Sequence, residues 1–188
     1  MTNGRLEKSM TATRRICLAH PVLLALVGCS SVVVGRQQPH PNVGEAATLP
    51  IASLTIADDI QQNIELTDTT VIIRVEDWRF TIQAGFDNAF GLSEREDAYN
   101  LHLGDAAIRF ESQWASTRNP HKWNVRLSYN AFLSDAEGHT VARAIGVVES
   151  APTFDDFSQA TTDAVERMWE SVGEEFVRAI QQQQQAGD

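Results

Sequence analysis

The chain has 188 residues, of which 43% are hydrophobic and 21% are charged. These proportions are typical of one globular domain with appendages, and they exclude a mainly disordered chain, a collagen-like chain and a polytopic membrane protein. The 25 acidic residues outnumber the 15 basic ones and give a net charge of −10, which excludes most nucleic-acid-binding proteins because phosphate affinity depends on Lys and Arg.

The first 28 residues have the pattern of a secretory signal peptide. An uncharged, mostly apolar run from Ile16 to Gly28 follows a basic segment that contains Arg5, Lys8, Arg14 and Arg15. A basic segment before about 7–15 apolar residues is typical of such signals. The paired arginines also fit the twin-arginine export route, but the residues after them match it only loosely, so the general secretory route is favoured.

The apolar run ends in Leu26-Val27-Gly28-Cys29, which resembles the lipobox of bacterial lipoproteins. In that family the signal peptide is cleaved just before the cysteine, the thiol carries a diacylglycerol and the new amino terminus is usually acylated. The resemblance implies cleavage between Gly28 and Cys29 and lipidation of Cys29. Because Ser30 rather than Asp follows, it also implies anchoring in the outer membrane, facing the periplasm.

Lipidation has consequences for the mature chain. Cys17 leaves with the signal peptide, so no free thiol remains. Residues 29–188 contain 11 basic and 24 acidic residues, a net charge of −13, and the lipid must therefore attach the domain to the membrane without help from basic residues. Two alternatives stay open: an uncleaved membrane span over Ile16–Gly35, which is uncharged throughout, and secretion with cleavage elsewhere.

Composition divides the rest of the chain. Residues 29–49 are interpreted as the lipidated N-terminus and a flexible tether, because Gly, Gln, Pro and Ser recur there without a period. Residues 50–180 are predicted to form the periplasmic domain, and residues 181–188 a frayed Gln-rich tail. His40 is interpreted as a solvated tether residue rather than a metal ligand.

In the first half of the domain, alternating apolar residues predict strands at 52–56 and 71–75. Asp77 is the expected N-cap of a helix over residues 78–90. The alternation then runs through odd positions to Leu103 and through even positions from Ala106. This change of phase predicts a β-bulge or a break in the strand at Gly104-Asp105, because a period of two cannot shift without an extra residue.

The second half predicts a hairpin and a long helix. Residues 123–133 alternate clearly, a turn follows at 135–138, and the return strand at 140–149 has a face of small residues that suits close packing of a helix. After caps at 153–156, an apolar stripe predicts a helix over residues 157–180. The fold class is therefore α+β, a small two-layer sandwich with helices on one face of a mostly antiparallel sheet.

The sequence contains no nucleophile, metalloprotease or phosphate-binding motif. His102 and His139 are interpreted as surface residues. Three groups of carboxylates are interpreted as solvated loop charge or helix caps: Asp58/Asp59, Glu94 with Glu96/Asp97, and Asp155/Asp156. The sequence therefore predicts no catalytic residue, no metal site and no cofactor.

Aromatic residues form the only candidate set for a contact or pocket: Trp78, Phe86, Trp114 and Trp169. They would suit a groove for a glycan or an acyl chain. The simpler interpretation is core packing, because Trp78 and Trp169 lie on or beside predicted apolar faces. Trp114 lies next to the loop at 115–121 and is the best candidate for an exposed contact.

The whole layout resembles lipoproteins that assist envelope transport or assembly, such as the ABC-transport auxiliary lipoproteins and the YajG-type lipoproteins. The shared features are the lipobox, the hairpin around residues 127–148 and the long C-terminal helix. Those families are non-enzymatic. The resemblance implies a lipid-anchored accessory protein that docks an envelope protein or a copy of itself and binds no nucleic acid. The alternatives are a carrier or sensor of a small lipid or glycan, and an undetected hydrolase.

We expect the membrane-extracted protein to have the mass of residues 29–188 plus acyl groups, and the Cys29→Ala variant to lose that form, because the thiol is the lipid acceptor. Intact-mass measurement of both proteins checks this. A full-length mass without lipid would instead support the span over Ile16–Gly35.

Overall fold

The structure, a computed structural model, describes residues 30–67, 71–113, 122–154 and 156–187; the predicted signal peptide and Cys29 lie outside these ranges. The described residues form seven strands, a short 3-10 helix and two α-helices. In chain order these are β1 (Ser30–Val34), the 3-10 helix (Gly44–Thr48), β2 (Ile51–Ile56), β3 (Ile64–Thr67), β4 (Val71–Val75), α1 (Trp78–Ala89), β5 (Tyr99–Gln113), β6 (Lys122–Ser134), β7 (Thr140–Glu149) and α2 (Phe157–Gly187).

A four-stranded sheet carries most of the core. Its order is β2-β5-β6-β7, with β2 parallel to β5 and the other pairs antiparallel. Helix α2 packs against the inner face of β6 and β7. Ala142 and Ala144 on β7 are only 5% and 1% exposed, so the predicted small-residue face does admit a helix. The predicted α+β class is confirmed.

The predicted bulge at Gly104 is confirmed. Leu103 pairs with Ala131 of β6, whereas Asp105 pairs with the adjacent Asn130, so β5 has one extra residue at this point. The extra residue resets the alternation, and both Leu103 and Ala106 therefore face the core.

A second sheet has three strands in the order β1-β4-β3. The sequence predicts β4 but neither of its neighbours. Strand β3 has only four residues and pairs antiparallel with β4, so its alternation is too short to stand out. Strand β1 pairs with β4 in parallel, with Ser30 opposite Val71. No turn signal can mark a parallel partner so far along the chain.

The prediction of a flexible tether is wrong for residues 30–48, which we call the N-terminal segment. The backbone N–H of His40 donates to the Glu166 carboxylate of α2 at 2.8 Å, and the Pro39 carbonyl accepts from Asn88 of α1 at 2.8 Å. The N-terminal segment therefore crosses both helices. Composition alone does not reveal this, because the contacts are isolated polar anchors without a period.

The far end of the N-terminal segment is buried. Val43 and Ala46 are 7% and 1% exposed. Ala46 lies so close to Gly173 of α2 that a Cβ added to this glycine would come within 2.8 Å of the Ala46 Cβ. The packed part of the chain therefore begins at Ser30, and not at residue 50.

Asp77 joins three parts of the fold. Its carboxylate accepts hydrogen bonds from Arg36 Nε of the N-terminal segment at 2.6 Å and from Gln62 Nε2 at 2.8 Å, while its backbone N–H donates to Asn63 Oδ1 at 2.9 Å. Asp77 precedes α1 as predicted, but its side chain makes no capping hydrogen bond and its backbone is left-handed, with φ of 53°. The hydrogen bond from Arg36, supported by that from Gln62, holds the pKa of the Asp77 carboxyl below its usual value.

The two helices meet at Trp169. Its side chain is fully buried, and its indole Nε1 donates to the carbonyl of Ile82 in α1 at 3.1 Å. A Cβ added to Gly85 of α1 would lie 2.9 Å from Trp169 Cδ1 and 3.0 Å from the Val165 side chain. Only a glycine leaves room for the indole at this crossing.

The prediction of a frayed tail over residues 181–188 is wrong for residues 181–187, which continue α2. Gln183 Nε2 donates to the backbone carbonyl of Val141 on β7 at 2.7 Å. A run of glutamines has no apolar period, yet it extends the helix because Gln is a good helix former and because this contact holds it against the sheet.

Among the described residues, no helix is both long and apolar enough to span a membrane. Residues 30–34 of the alternative span Ile16–Gly35 form strand β1, so this part of the alternative is wrong. The remainder of that span lies outside the described residues.

We expect Gly85→Ala to lower the free energy of unfolding by about 1–2 kcal/mol. Overpacking against Trp169 destabilises the fold by about 1–3 kcal/mol. The higher helix propensity of Ala offsets no more than about 1 kcal/mol of this loss. Urea unfolding of the chain without its first 28 residues measures the change. Gly91→Ala is the control, since nothing lies within 4 Å of a Cβ at that exposed position. Equal stability of the two variants would contradict the tight crossing.

We expect Asp77→Asn to weaken the loss of stability on acidification. A lowered pKa in the folded state means that the Asp77–Arg36 pair stabilises the fold above the unfolded pKa of about 3.9 and that this stabilisation disappears as the pH falls through the folded value. Asn tolerates the left-handed backbone. Urea unfolding between pH 7 and pH 3 gives the two pH profiles.

Asp97→Asn is the matched control for this prediction. The Asp97 carboxyl also has a lowered pKa, owing to its hydrogen bond from Arg95. Arg95 and Asp97 are only two positions apart, so their ion pair also forms in the unfolded chain. It therefore contributes less to the free-energy difference between the folded and unfolded states. Parallel pH profiles for wild type and Asp77→Asn would show that the Arg36 pair does not stabilise the fold.

Candidate functional site

The four-stranded sheet has one face that α2 covers and one that lies outside. We call the outward side chains of β5, β6 and β7 the open face. It consists of alternate positions along each strand, because successive side chains point to opposite sides of a sheet. The paired rows across it include His102–Phe132–Arg143, Asp105–Asn130–Ile145, Ala107–Ser128–Val147 and Arg109–Arg126–Glu149.

Two exposed aliphatic residues stand out on the open face. Ile145 is 63% exposed and Val147 is 48% exposed. Both lie on β7, at the edge of the sheet, and they face Asn130 and Ser128 on β6. Adjacent branched residues at a sheet edge form a small apolar surface that a partner can cover.

Charged residues lie beside this apolar surface and nearly balance each other. Four basic residues and three carboxylates share the open face: Arg109, Lys122, Arg126, Arg143, Asp105, Glu111 and Glu149. Arg126 lies 3.8 Å from Glu111, and Arg143 Nε donates to Asn130 Oδ1 at 3.2 Å. The open face is therefore close to neutral, although residues 29–188 carry a net charge of −13. A nearly neutral face that combines exposed aliphatic residues with charged neighbours resembles the surfaces at which proteins associate.

His102 is part of the open face but is less exposed than expected. Its ring stacks on Phe132, with centroids 4.7 Å apart and an interplanar angle of 14°. Its Nε2 lies 3.3 Å from Ser134 Oγ. His102 lies on the outward face as predicted, and the stacking partly buries its imidazole.

The edge of β7 is partly covered. β7 ends the strand order, and among the described strands only β6 pairs with it. Gln183 of α2 donates a hydrogen bond to the backbone carbonyl of Val141 near the start of β7. A further strand could add to the remaining edge, beside Ile145 and Val147.

Three of the aromatic candidates belong to the core. Trp78, Phe86 and Trp169 are at most 1% exposed. Trp78 Nε1 donates to the Ala106 carbonyl at 3.1 Å, and the rings of Phe86 and Trp169 meet edge to face at 5.7 Å. Since the indole donors are satisfied and the rings are packed, the pocket hypothesis is wrong for these three residues. The core interpretation holds because their apolar faces close the space between helices and sheet.

The remaining predicted site residues, Gly28, Cys29 and Trp114, lie outside the described residues. The loop next to Trp114 is outside them as well.

The carboxylate groups found in the sequence take structural roles where they are described. Asp97 pairs with Arg95 at 2.6 Å. Asp156 accepts a hydrogen bond from the Gln159 N–H at 2.8 Å at the start of α2, which confirms the predicted cap. Asp58 and Asp59 are exposed in the loop after β2.

One cluster was not evident from spacing. The potential ligand atoms of Asp135, Glu137 and His139, in the β6–β7 turn, lie within 4.8 Å of one another. Burial raises the pKa of the Asp135 carboxyl, but hydrogen bonds from the His139 backbone and side chain outweigh it and lower the pKa overall. The His139 N–H donates to Asp135 Oδ1 at 2.7 Å, so the contacts of this turn close the hairpin.

Several open clefts lie elsewhere on the described surface, and two of them border α2 or β5. The larger, about 430 Å³, lies between residues 42–46 and the end of α2. The second, about 230 Å³, lies between residues 59–64 and the bulge region of β5. Neither cleft is lined by the aromatic candidates.

Comparisons with known proteins give structural similarity only. No protein-family model and no curated protein sequence matches the chain. A minor lipoprotein from Acinetobacter baumannii has a similar structure, with a TM-score of 0.42 and 10% identity over 70% of this chain and 92% of that one. Rare lipoprotein B from Shewanella oneidensis gives a TM-score of 0.36 and 10% identity over 71% of this chain and 95% of that one. No functional assignment follows from similarity at this level.

Proposed function

We propose that this protein is a non-enzymatic, lipid-anchored accessory protein of the cell envelope that docks a protein partner through the open face. The observation that carries the proposal is the pair Ile145 and Val147, exposed at 63% and 48% on the edge strand of the four-stranded sheet. In a folded domain such residues cost solubility unless something covers them.

The lipid anchor in this proposal rests on the sequence. Leu26-Val27-Gly28-Cys29 resembles a lipobox behind a basic and then apolar leader. Attachment at Cys29 places the domain on the periplasmic side of the outer membrane. Concentration of the domain at a membrane surface makes even a weak contact with a partner in the same membrane effective.

Charge favours a protein partner on the open face. The rest of the acidic domain repels anionic surfaces, whereas four of its 11 basic residues lie on this face beside three carboxylates. Alternating charges at the rim select the orientation of a partner more than they strengthen binding. An envelope protein with a complementary rim, or a second copy of this chain, would fit.

We keep the absence of enzymatic activity as part of the proposal. Several described polar residues that could carry chemistry make structural contacts instead: Asp97 with Arg95, Asp156 at the start of α2, and His139 with Asp135. The aromatic residues no longer support the alternative of a carrier or sensor for a small lipid or glycan, because Trp78, Phe86 and Trp169 fill the core and do not line a pocket.

The test uses a photo-crosslinking amino acid at Val147 in the full-length protein, expressed in its native envelope. We expect a light-dependent adduct with a discrete protein, identified by mass spectrometry as an envelope component or as a second copy. Adding Ile145→Asp should reduce the adduct at least tenfold, because a desolvated carboxylate without a partner is costly in an interface.

Two controls decide the outcome. The same probe at Leu92, which is 66% exposed and lies away from the open face, should give no adduct with that protein. Leu92→Asp should leave the Val147 adduct unchanged. Equal adducts from both probe positions, or a Val147 adduct that survives Ile145→Asp, would refute docking through the open face.

A further inference from the structure

The folded domain begins directly after the predicted lipid attachment site. β1 starts at Ser30, the residue that follows Cys29, and pairs with β4 over its whole length from Ser30–Val71 to Val34–Val75. At most one residue separates the lipid-bearing cysteine from hydrogen-bonded sheet. One extended residue spans only about 3.3–3.6 Å, whereas a flexible tether of 19 residues would have a mean span of about 24 Å.

The residues at the end of β1 and directly after it make contacts that hold β1 in the sheet. Val34 at the end of β1 is fully buried, and its carbonyl accepts from the Glu76 N–H at 2.9 Å. Arg36 then pairs with Asp77 and stacks its guanidinium over the Phe80 ring at 4.8 Å. For the N-terminal segment to act as a flexible tether, β1 would therefore have to separate from β4, and the Arg36 contacts would have to break at the same time.

We infer that the end of the three-stranded sheet marked by Ser30 rests directly on the lipid bilayer that holds the Cys29 acyl chains. The inference depends on the lipid anchor of the proposed function. It adds that the anchor fixes the domain at the membrane surface in one orientation. The Ser30 end of the three-stranded sheet lies against the bilayer, and the Glu76 end points away from it.

The charges of the described residues along this sheet suit that orientation; residues 68–70 between β3 and β4, which include Asp68, lie outside the described residues. At the Ser30 end, the described outward residues are Ser31, Ile72 and Thr67, which share one row. The next row, farther from Ser30, contains the Arg74–Glu65 pair at 2.8 Å. The far end continues into Glu76 and Asp77. Uncharged hydroxyl and aliphatic groups can enter the headgroup region at little desolvation cost, whereas unpaired carboxylates cannot.

The test compares labels at the two ends of the same sheet. Thr67→Cys lies at the Ser30 end and Glu76→Cys at the other end; both native side chains are exposed. Glu76 is four residues beyond Ile72, the partner of Thr67, so the labels are about 13 Å apart along the strand. With Cys29 lipidated, each introduced cysteine is the only free thiol of the mature chain.

Each full-length lipidated variant is labelled with a fluorophore and placed in phosphatidylcholine vesicles that carry a headgroup spin-labelled lipid as quencher. We expect the label at residue 67 to be quenched severalfold more than the label at residue 76. A control protein receives 19 Gly and Ser residues, starting with Ser, between Cys29 and Ser30. In this control the two labels should be quenched equally and weakly.

The outcomes separate the inference from the proposal on which it rests. Equal quenching of the two labels without the insertion, or stronger quenching at residue 76, overturns the fixed orientation even if intact mass confirms acylation. A protein that carries no acyl chain overturns the anchor itself, and the docking test at Val147 then decides the rest of the proposed function.

Discussion

The crossing of α1 and α2 at Trp169 and Gly85 is the constraint on which most of the structure depends. The indole can donate to the Ile82 carbonyl only because Gly85 has no Cβ to block its approach. Phe86 and Phe90 then close around the same indole, with ring centroids 5.7 Å and 6.0 Å from it. A close crossing lets both helices lie on the inner side of the four-stranded sheet and fill one continuous core.

The same helix crossing positions the N-terminal segment. Gln37 bridges the two helices: its N–H donates to Thr81 Oγ1 of α1 at 3.2 Å, and its side-chain oxygen accepts from Thr162 Oγ1 of α2 at 3.2 Å. These contacts exist only while α1 and α2 are held at a fixed separation. Helix packing in the core therefore determines, through isolated polar anchors, where the chain leaves the fold toward Cys29.

In the proposed function, two surfaces of the molecule have different roles. The end of the three-stranded sheet is close in sequence to the predicted lipid and lacks charge in its first described row. The open face belongs to the other sheet and combines two exposed aliphatic residues with nearly balanced charges. An accessory protein that is fixed to a membrane at one surface and presents another to a partner needs no internal cavity, and the aromatic residues are free to stabilise the core.

Much of the four-stranded sheet could be predicted because its signals are local. The alternation in β6 and β7, the phase change at Gly104 and the apolar stripe of α2 each follow from residues close together in the chain. The open face carried a weaker signal, since β7 has apolar residues at both parities. Ile145 and Val147 could have been noticed as the apolar residues opposite the small-residue face.

The sequence by itself predicted a lipid-anchored location, and it determined the α+β class and the elements whose period is regular, because these properties depend on composition and on neighbours along the chain. Only the tertiary structure decided that residues 30–48 are packed, that β1 and β3 flank β4, that α2 extends through the glutamines, and that Trp78, Phe86 and Trp169 are core. Each of these depends on partners distant in sequence: a parallel strand, a carboxylate on α2, a carbonyl on β7, or the missing Cβ of a glycine on the facing helix.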